Sequence, residues 1–353
     1  MKRKISMLVL LFIAAAVFMP KNVFAINCDL VANVNSGTYT IAGERDCTVS
    51  EDITIERPFT ITEGTVTITL DHNITSNTII FNVRENGNLV INGPGSITTT
   101  GSMPPVIFDS TGNLSISGGT FNGGIQVQKA NRLLISGGAF SGSKTGASIS
   151  NVGNLTINGG TFTGSFSGAS IMGEGTKNVS SGTYEGGKLG ILTDRTNETI
   201  LRGGTFKSTD DESYAIGILT TESRDTGFFN NIVGRGSHYS EKFTALRKKE
   251  NDITSGIEGV GSSTADPSHT PTIQYYYVSD IKNVSVVTGA PTEDQKIDPA
   301  IVDEEEETEK AKAEETSENP KTGSTLYIYV IAFLLVSGLA VFGTYKYQKK
   351  LEK

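Results

Sequence analysis

The chain has 353 residues, a net charge of −8, 40 Gly, no Trp and only two Cys. The mild acidity, with no basic stripe, argues against nucleic acid as a partner. The abundance of Gly, Ser, Thr and Asn against few aromatics suits a turn-rich all-β chain.

Residues 1–25 read as a secretory signal peptide. Lys2-Arg3-Lys4 is a basic start, Leu8 to Phe18 an apolar stretch too short to span a membrane, and Val23-Phe24-Ala25 supplies the cleavage site. The mature chain would begin near Ile26. Cys28 and Cys47 follow, and export permits a disulfide between them, placed to cap the open end of a repeat structure. Alternating segments then recur: Tyr39-Thr40-Ile41, Ile53-Thr54-Ile55, Phe59-Thr60-Ile61, Val66-Thr67-Ile68 and Leu89-Val90-Ile91 all read as short strands.

The stretch 112–206 organises the molecule. Asn113-Leu114-Ser115-Ile116-Ser117-Gly118-Gly119-Thr120-Phe121 returns at Asn131 to Phe140 and again at Asn154 to Phe162, with weaker copies ending at Tyr184 and Phe206. The aromatics at 121, 140, 162, 184 and 206 are spaced 19, 22, 22 and 22 residues apart, a period that means a solenoid. Val127, Ile149 and Ile171 each precede the next aromatic by 13 residues, which fixes a second register. The pattern predicts three strands per turn: one ending near Gly-Gly, one around Thr-Phe and one around Ala147-Ser148-Ile149. In Leu155-Thr156-Ile157 the aliphatics face one way and Thr the other. The Gly-Gly pair predicts a corner that needs positive φ or close backbone approach. With no helical pattern between the strands, the expected fold is a parallel β-helix over 26–245. One turn buries about five apolar side chains at roughly 1.5–3 kcal/mol each. Ordering its roughly twenty residues costs about 1–2 kcal/mol apiece, so the turns must stack to be stable.

The later turns carry insertions. Ile191 to Phe206 spans 15 residues rather than 13, and Phe206 to Ile218 spans 12 rather than 9, with Asp210, Asp211 and Glu212 in the extra length. Gly236-Ser237-His238-Tyr239 reads as a degenerate further copy. Residues 242–268 are polar, and 273–287, with Tyr275-Tyr276-Tyr277, read as strands closing the C-terminal end, within a cap over 246–288. Residues 289–318 hold Asp303-Glu304-Glu305-Glu306-Glu307 and no aromatic, and are expected to be an unfolded acidic linker.

Residues 326–345 carry no charge and would reach about 30 Å as a helix, enough to span a membrane. Lys346, Lys349, Lys350 and Lys353 follow, which orients the tail to the cytoplasm. Asn319-Pro320-Lys321-Thr322-Gly323 stands just before the span. Pentapeptide, span and basic tail together (319–353) resemble the cell-wall sorting signal of Gram-positive surface proteins, whose consensus is Leu-Pro-x-Thr-Gly. The resemblance implies that a sortase cuts between Thr322 and Gly323 and joins Thr322 to peptidoglycan. Asn319 departs from the usual Leu.

The repeats also resemble the right-handed β-helix superfamily, which includes pectate lyases, polygalacturonases and many bacterial surface proteins. Fold alone does not assign function. A glycosidase needs two carboxylates roughly 5–10 Å apart. Among the residues that follow the aromatics (Asn122, Ser141, Thr163, Glu185 and Lys207) only Glu185 is acidic. Asp210-Asp211 is similar to the paired aspartates of polygalacturonases, but the Gly-His-Gly and Arg-x-Lys elements that accompany them there are missing. Asp194, with Arg195 and Arg202, offers a lyase-like acid and base. His72, His238 and His269 are too scattered for a metal set, and no cofactor is expected. Two readings result: a non-catalytic adhesin or structural surface protein whose partners are glycans or matrix proteins of the host or environment, or a wall-anchored polysaccharide lyase or hydrolase.

Overall fold

The computed structural model describes residues 26–37, 39–194, 199–220, 228–249, 275–290, 292 and 298–303. The signal peptide, the sorting pentapeptide and the apolar span all lie outside these residues. Among the described residues no helix is long and apolar enough to cross a membrane.

The chain forms an all-β solenoid of parallel strands with about nine turns. Each full turn visits three sheets in order. The turn from Asn113 shows the plan: Asn113–Ile116 lies in the first sheet, Thr120–Asn122 in the second, and the start of Ile125–Ile135 in the third. Ile125–Ile135 then runs without a break into the first sheet of the next turn. Successive turns of the repeat region pair in parallel, with rungs aligned residue for residue except for a register shift after Phe108.

The predicted periodicity becomes vertical files of side chains inside the stack. Phe121, Phe140, Phe162, Tyr184 and Phe206 are direct register partners in the second sheet. Their rings stack with centroids 4.7, 4.8, 4.8 and 5.1 Å apart. Each spacing is about one strand separation, so every ring covers the one below it. Val127, Ile149 and Ile171 form the third-sheet file, followed by Thr193 and Ile218. In the first sheet Ile68, Ile91, Ile116, Ile135, Ile157, Val179 and Leu201 make another. Nearly all of these residues are fully buried.

The Gly-Gly corners work in both expected ways, one for each glycine. The second of the pair takes the left-handed conformation: Gly138 has φ 100°, Gly160 103° and Gly204 114°. The first lies against the turn below, where a Cβ on Gly159 would sit 2.8 Å from the Ser136 carbonyl oxygen. A side chain at either place would break the rung spacing.

The N-terminal end holds a feature that the sequence pattern does not announce. Leu30–Asn35 is a short helix standing where the first turn would place its second-sheet strand. Asp29 caps it, its carboxylate accepting from the Val31 N–H at 3.1 Å. Leu30 enters the main core. Cys28 and Cys47, register partners on adjacent rungs, are joined as a disulfide.

The C-terminal end closes by reversing direction. Asn283–Thr288 runs antiparallel to Gly204–Ser208, and Tyr275–Ser279 antiparallel to Tyr214–Thr220. Ser237–Tyr239 is therefore not stacked on the Phe206 turn as a further copy. It pairs with Asn283–Thr288, which is inserted between them. The aromatics register the change: Phe229 and Tyr239 meet Phe243 edge-on, at 84° and 73°, instead of stacking. Thr244–Lys249, within the polar stretch 242–268, is a strand beside Tyr275–Ser279. Asp298–Asp303, within the expected linker, is a further strand along Thr244–Lys249. The Ala300-Ile301-Val302 triplet gives that segment the strand propensity its acidic surroundings lack.

Candidate functional site

The outward face of the second sheet is the most regular surface of the rod. Its central file follows the aromatics and reads Thr54, Thr75, Thr98, Asn122, Ser141, Thr163, Glu185 and Lys207. A flanking file reads Ser96, Thr120, Ala139, Thr161, Thr183 and Thr205. The stacked rings beneath hold both files at one rung per residue. The result is a strip of hydroxyls with one amide, interrupted by Ala139 and ended by the Glu185–Lys207 pair, in which Asn122 donates to Thr98 Oγ1 at 2.9 Å.

Each candidate carboxylate lies at a different station and has its own lysine. Glu185, on the central file, accepts from Lys207 on the next turn at 3.0 Å. Asp210 lies at the corner between second and third sheets, 3.3 Å from Lys188, and its backbone N–H donates to the Gly187 carbonyl at 2.9 Å. Asp211, its neighbour in sequence, faces Lys282 instead, at 3.9 Å. Asp194 ends a third-sheet strand, at the far corner from Asp210. Its register partner is Leu219, five residues along from Tyr214, so roughly 15 Å of strand separates the two corners. That exceeds the span two glycosidase carboxylates require. Glu185 and Asp210 stand on adjacent turns, and each faces a different lysine. Arg195 lies outside the described residues. Arg202 uses its carbonyl to accept from Ser237 Oγ at 3.0 Å.

The Lys177–Asp194 pair sets a buried lysine against a partly buried carboxylate. Lys177 is only 1% exposed and donates to Asp194 Oδ1 at 2.8 Å and to the Gly173 carbonyl at 2.6 Å. Asp194 Oδ2 accepts from the Gly173 N–H at 2.5 Å. Burial pulls the Lys177 ammonium below its ordinary range, and Asp194 opposes that shift. The backbone position explains the burial. Lys177 is the register partner of Leu155, itself above Leu133 and Leu114, so the lysine stem fills an aliphatic slot while its head reaches the corner. Sequence reasoning passed over Lys177. Aligning Thr176-Lys177-Asn178-Val179 with Asn154-Leu155-Thr156-Ile157 would have exposed a charge at an inward position.

Asparagines at the start of the first-sheet strands have a structural role. Asn88, Asn113 and Asn131 form a ladder at the corner entering the first sheet. Asn113 donates through its backbone N–H and side chain to Asn88 Oδ1 at 2.8 and 3.0 Å, and Asn131 donates to Asn113 Oδ1 at 3.2 Å. An open groove of about 470 Å3 runs over the Gly-Gly corners, bounded by Thr183, Thr205, Ser285 and Val287. His72 is 3.6 Å from Asp52, and His238 Nδ1 lies 3.1 Å from the Gly289 carbonyl. Among the described residues no group of three or more His, Cys, Asp or Glu could hold a metal ion.

The geometry thus defines a β-solenoid with ladders of polar residues on its surface. No family model matches the chain, and no curated protein or solved structure is detectably similar to it.

Proposed function

We propose that the chain is a rod displayed on the surface of a Gram-positive cell, a non-catalytic adhesin or structural protein that a sortase joins to peptidoglycan through Thr322. The observation that carries the non-catalytic reading is the pairing of Glu185, Asp194, Asp210 and Asp211 with four separate lysines. A carboxylate pair that shares a substrate must converge on it, and these acids instead each face a lysine of a neighbouring turn or of the cap. The hydroxyl and amide file of the second sheet from Thr54 to Thr163 supplies the alternative use: a stiff polar face that meets glycans or matrix proteins through many small contacts. Nine turns at about 4.8 Å make a rod of roughly 40 Å. The resemblance of 319–353 to a sorting signal, and of 1–25 to a signal peptide, supports the address.

Two experiments test the two halves separately. Wall attachment predicts that a muramidase, and not detergent, releases the chain from cells, and that Thr322→Ala reverses this. Release of the wild type by detergent alone overturns the anchoring. For the face, a glycan and matrix array probed with the full chain should give ligands whose binding is lost in Thr163→Lys. Turnover of a polysaccharide, abolished by Asp210→Asn or Asp194→Asn, overturns the non-catalytic half.

A further inference from the structure

The groove over the Gly-Gly corners is built where the repeat meets the cap. One side is the corner of three successive turns, at Gly159-Gly160, Ser181-Gly182 and Gly204. The other is Ser285 to Val287, from the antiparallel cap strand. The middle corner departs from the repeat twice. Ser181 stands where the turns on either side carry the first Gly of the pair, and Tyr184 stands where they carry Phe. The two changes are coupled, because the buried Tyr184 hydroxyl donates to the Ser181 carbonyl at 3.1 Å. That bond pins the corner from beneath, while the Ser181 residue itself stays exposed.

The lining has a definite chemistry. Ser181, Thr183, Thr205 and Ser285 contribute hydroxyls, and the last two share a hydrogen bond of 2.9 Å across the junction. The N–H groups of Gly159, Gly160, Ser181 and Gly182 donate to no other described residue. No lining residue is charged. Val287, at 38%, is the one large hydrophobic residue left exposed among the described residues. We propose that this groove is a binding site for a neutral saccharide, seating one end of a glycan whose remaining units lie on the hydroxyl face of the second sheet. The inference rests on the glycan-binding reading above and adds the ligand's charge and the place of its anchor.

Four physical arguments favour this occupant. Sugar hydroxyls both donate and accept, which matches a lining of free N–H donors and two-way hydroxyls. A carboxylate or phosphate would find no cation in that lining to pair with. The C–H face of a sugar ring can cover Val287, and the volume of about 470 Å3 is that of a small-molecule cleft. The floor is already fixed, since Thr183 and Thr205 donate their N–H groups to the Gly160 and Gly182 carbonyls at 3.0 and 2.9 Å, so binding orders little of the protein. An extended peptide, the rival occupant, would add itself to a free strand edge. Thr183–Gly186 and Gly204–Ser208 have none, because each is paired on both sides.

Hydrogen–deuterium exchange on the full chain reads this directly, with glucose, galactose, N-acetylglucosamine and galacturonate as separate probes. The amides of Gly159, Gly160, Ser181 and Gly182 have no internal acceptor and should exchange fast in the free chain. A neutral sugar at ten times its Kd should slow them about tenfold, and galacturonate should not. Ser181→Tyr, which fills the groove from an exposed position, should remove the effect and cut binding on the glycan array at least about tenfold. Val287→Asp, on the other wall, should do the same. Exchange in the Phe140 turn reports whether either variant has unfolded. No slowing by any neutral sugar, equal slowing by galacturonate, or slowing that survives Ser181→Tyr each overturns the site. Array ligands lost in Thr163→Lys but kept in Ser181→Tyr overturn the groove and leave the glycan-binding face standing, whereas an array without ligands overturns both.

Discussion

Phe162→Ala is the substitution that most directly tests whether the stack of rings holds the solenoid together. Phe162 is fully buried, lies between Phe140 and Tyr184 with centroids 4.8 Å away on each side, and is within 6° of parallel to both. Removing a buried Phe side chain costs about 3–5 kcal/mol through lost transfer energy and an unfilled cavity. The two ring contacts add roughly 0.5–1.5 kcal/mol each beyond burial. The site has little freedom to collapse, because the rungs above and below are fixed by their own ladders, so the expected loss is about 4–5 kcal/mol. Turns of a solenoid contact only their neighbours, so the lesion falls on the coupling between turns and should split unfolding into two steps. Urea unfolding followed by far-UV circular dichroism measures both effects. Phe162→Leu, which keeps most of the volume, should lose much less. Thr163→Ala, one residue on but outward, should stay within about 0.5 kcal/mol of the wild type. A loss below about 1 kcal/mol for Phe162→Ala, with a single transition, refutes the argument.

Four further outcomes follow from the same ladders. Lys177→Leu restores the aliphatic file but leaves Asp194 unpaired, and should cost about 3 kcal/mol by thermal or urea unfolding, whereas Lys177→Leu with Asp194→Asn should return to within about 1 kcal/mol of the wild type. Because burial holds Lys177 below its usual 10.5, the unfolded chain binds that proton more tightly; the stability of the wild type relative to Lys177→Leu should therefore rise with pH through the window between the lowered value and 10.5. Asp52 is held below its usual 3.8, chiefly by the Asn73 backbone N–H, so its contribution is present above 3.8 and lost as pH falls through the folded value; Asp52→Asn should remove that acid-side slope. Reducing the Cys28–Cys47 bridge, which joins residues 19 apart, should cost about 3 kcal/mol, with exchange protection lost first in Ile26–Asp29 and Leu30–Asn35.

Much of the fold was legible because a parallel solenoid writes its register into the sequence. The 22-residue steps from Phe140 to Phe206 and the 13-residue offsets from Val127, Ile149 and Ile171 correspond to vertical neighbours in the structure. The ends were less legible, for a physical reason. A cap must break the repeat, so Leu30–Asn35 carries no period, and Asn283–Thr288 joins the Phe206 turn across 80 residues of sequence, as the Thr205 to Ser285 contact shows. Thr244–Lys249 is hidden by its charge. It alternates too weakly to announce a strand, and its partners lie at 275–279 and 298–303. At the candidate site the acids were visible and their neutralisation was not. Lys188, Lys207 and Lys282 are unremarkable in sequence, and only the stacking of turns puts them beside Asp210, Glu185 and Asp211.

That neutralisation follows from how a solenoid places side chains. A residue's nearest neighbours on the surface are the same-register residues of the turns above and below, about 4.8 Å away. An acid on one turn therefore meets whatever the repeat sets at that register on the next. Two acids in adjacent turns would repel, and an acid beside a lysine stabilises the stack. Selection for stable stacking thus pushes toward mixed ladders such as Thr163, Glu185, Lys207, whereas catalysis by a carboxylate pair requires like charges held together against that tendency. In the rod Glu185, Asp194 and Asp210 each face a lysine of a neighbouring turn. Its outward second-sheet file, from Thr54 to Thr163, keeps to uncharged hydroxyls and amides that stack without penalty and remain free to contact a partner.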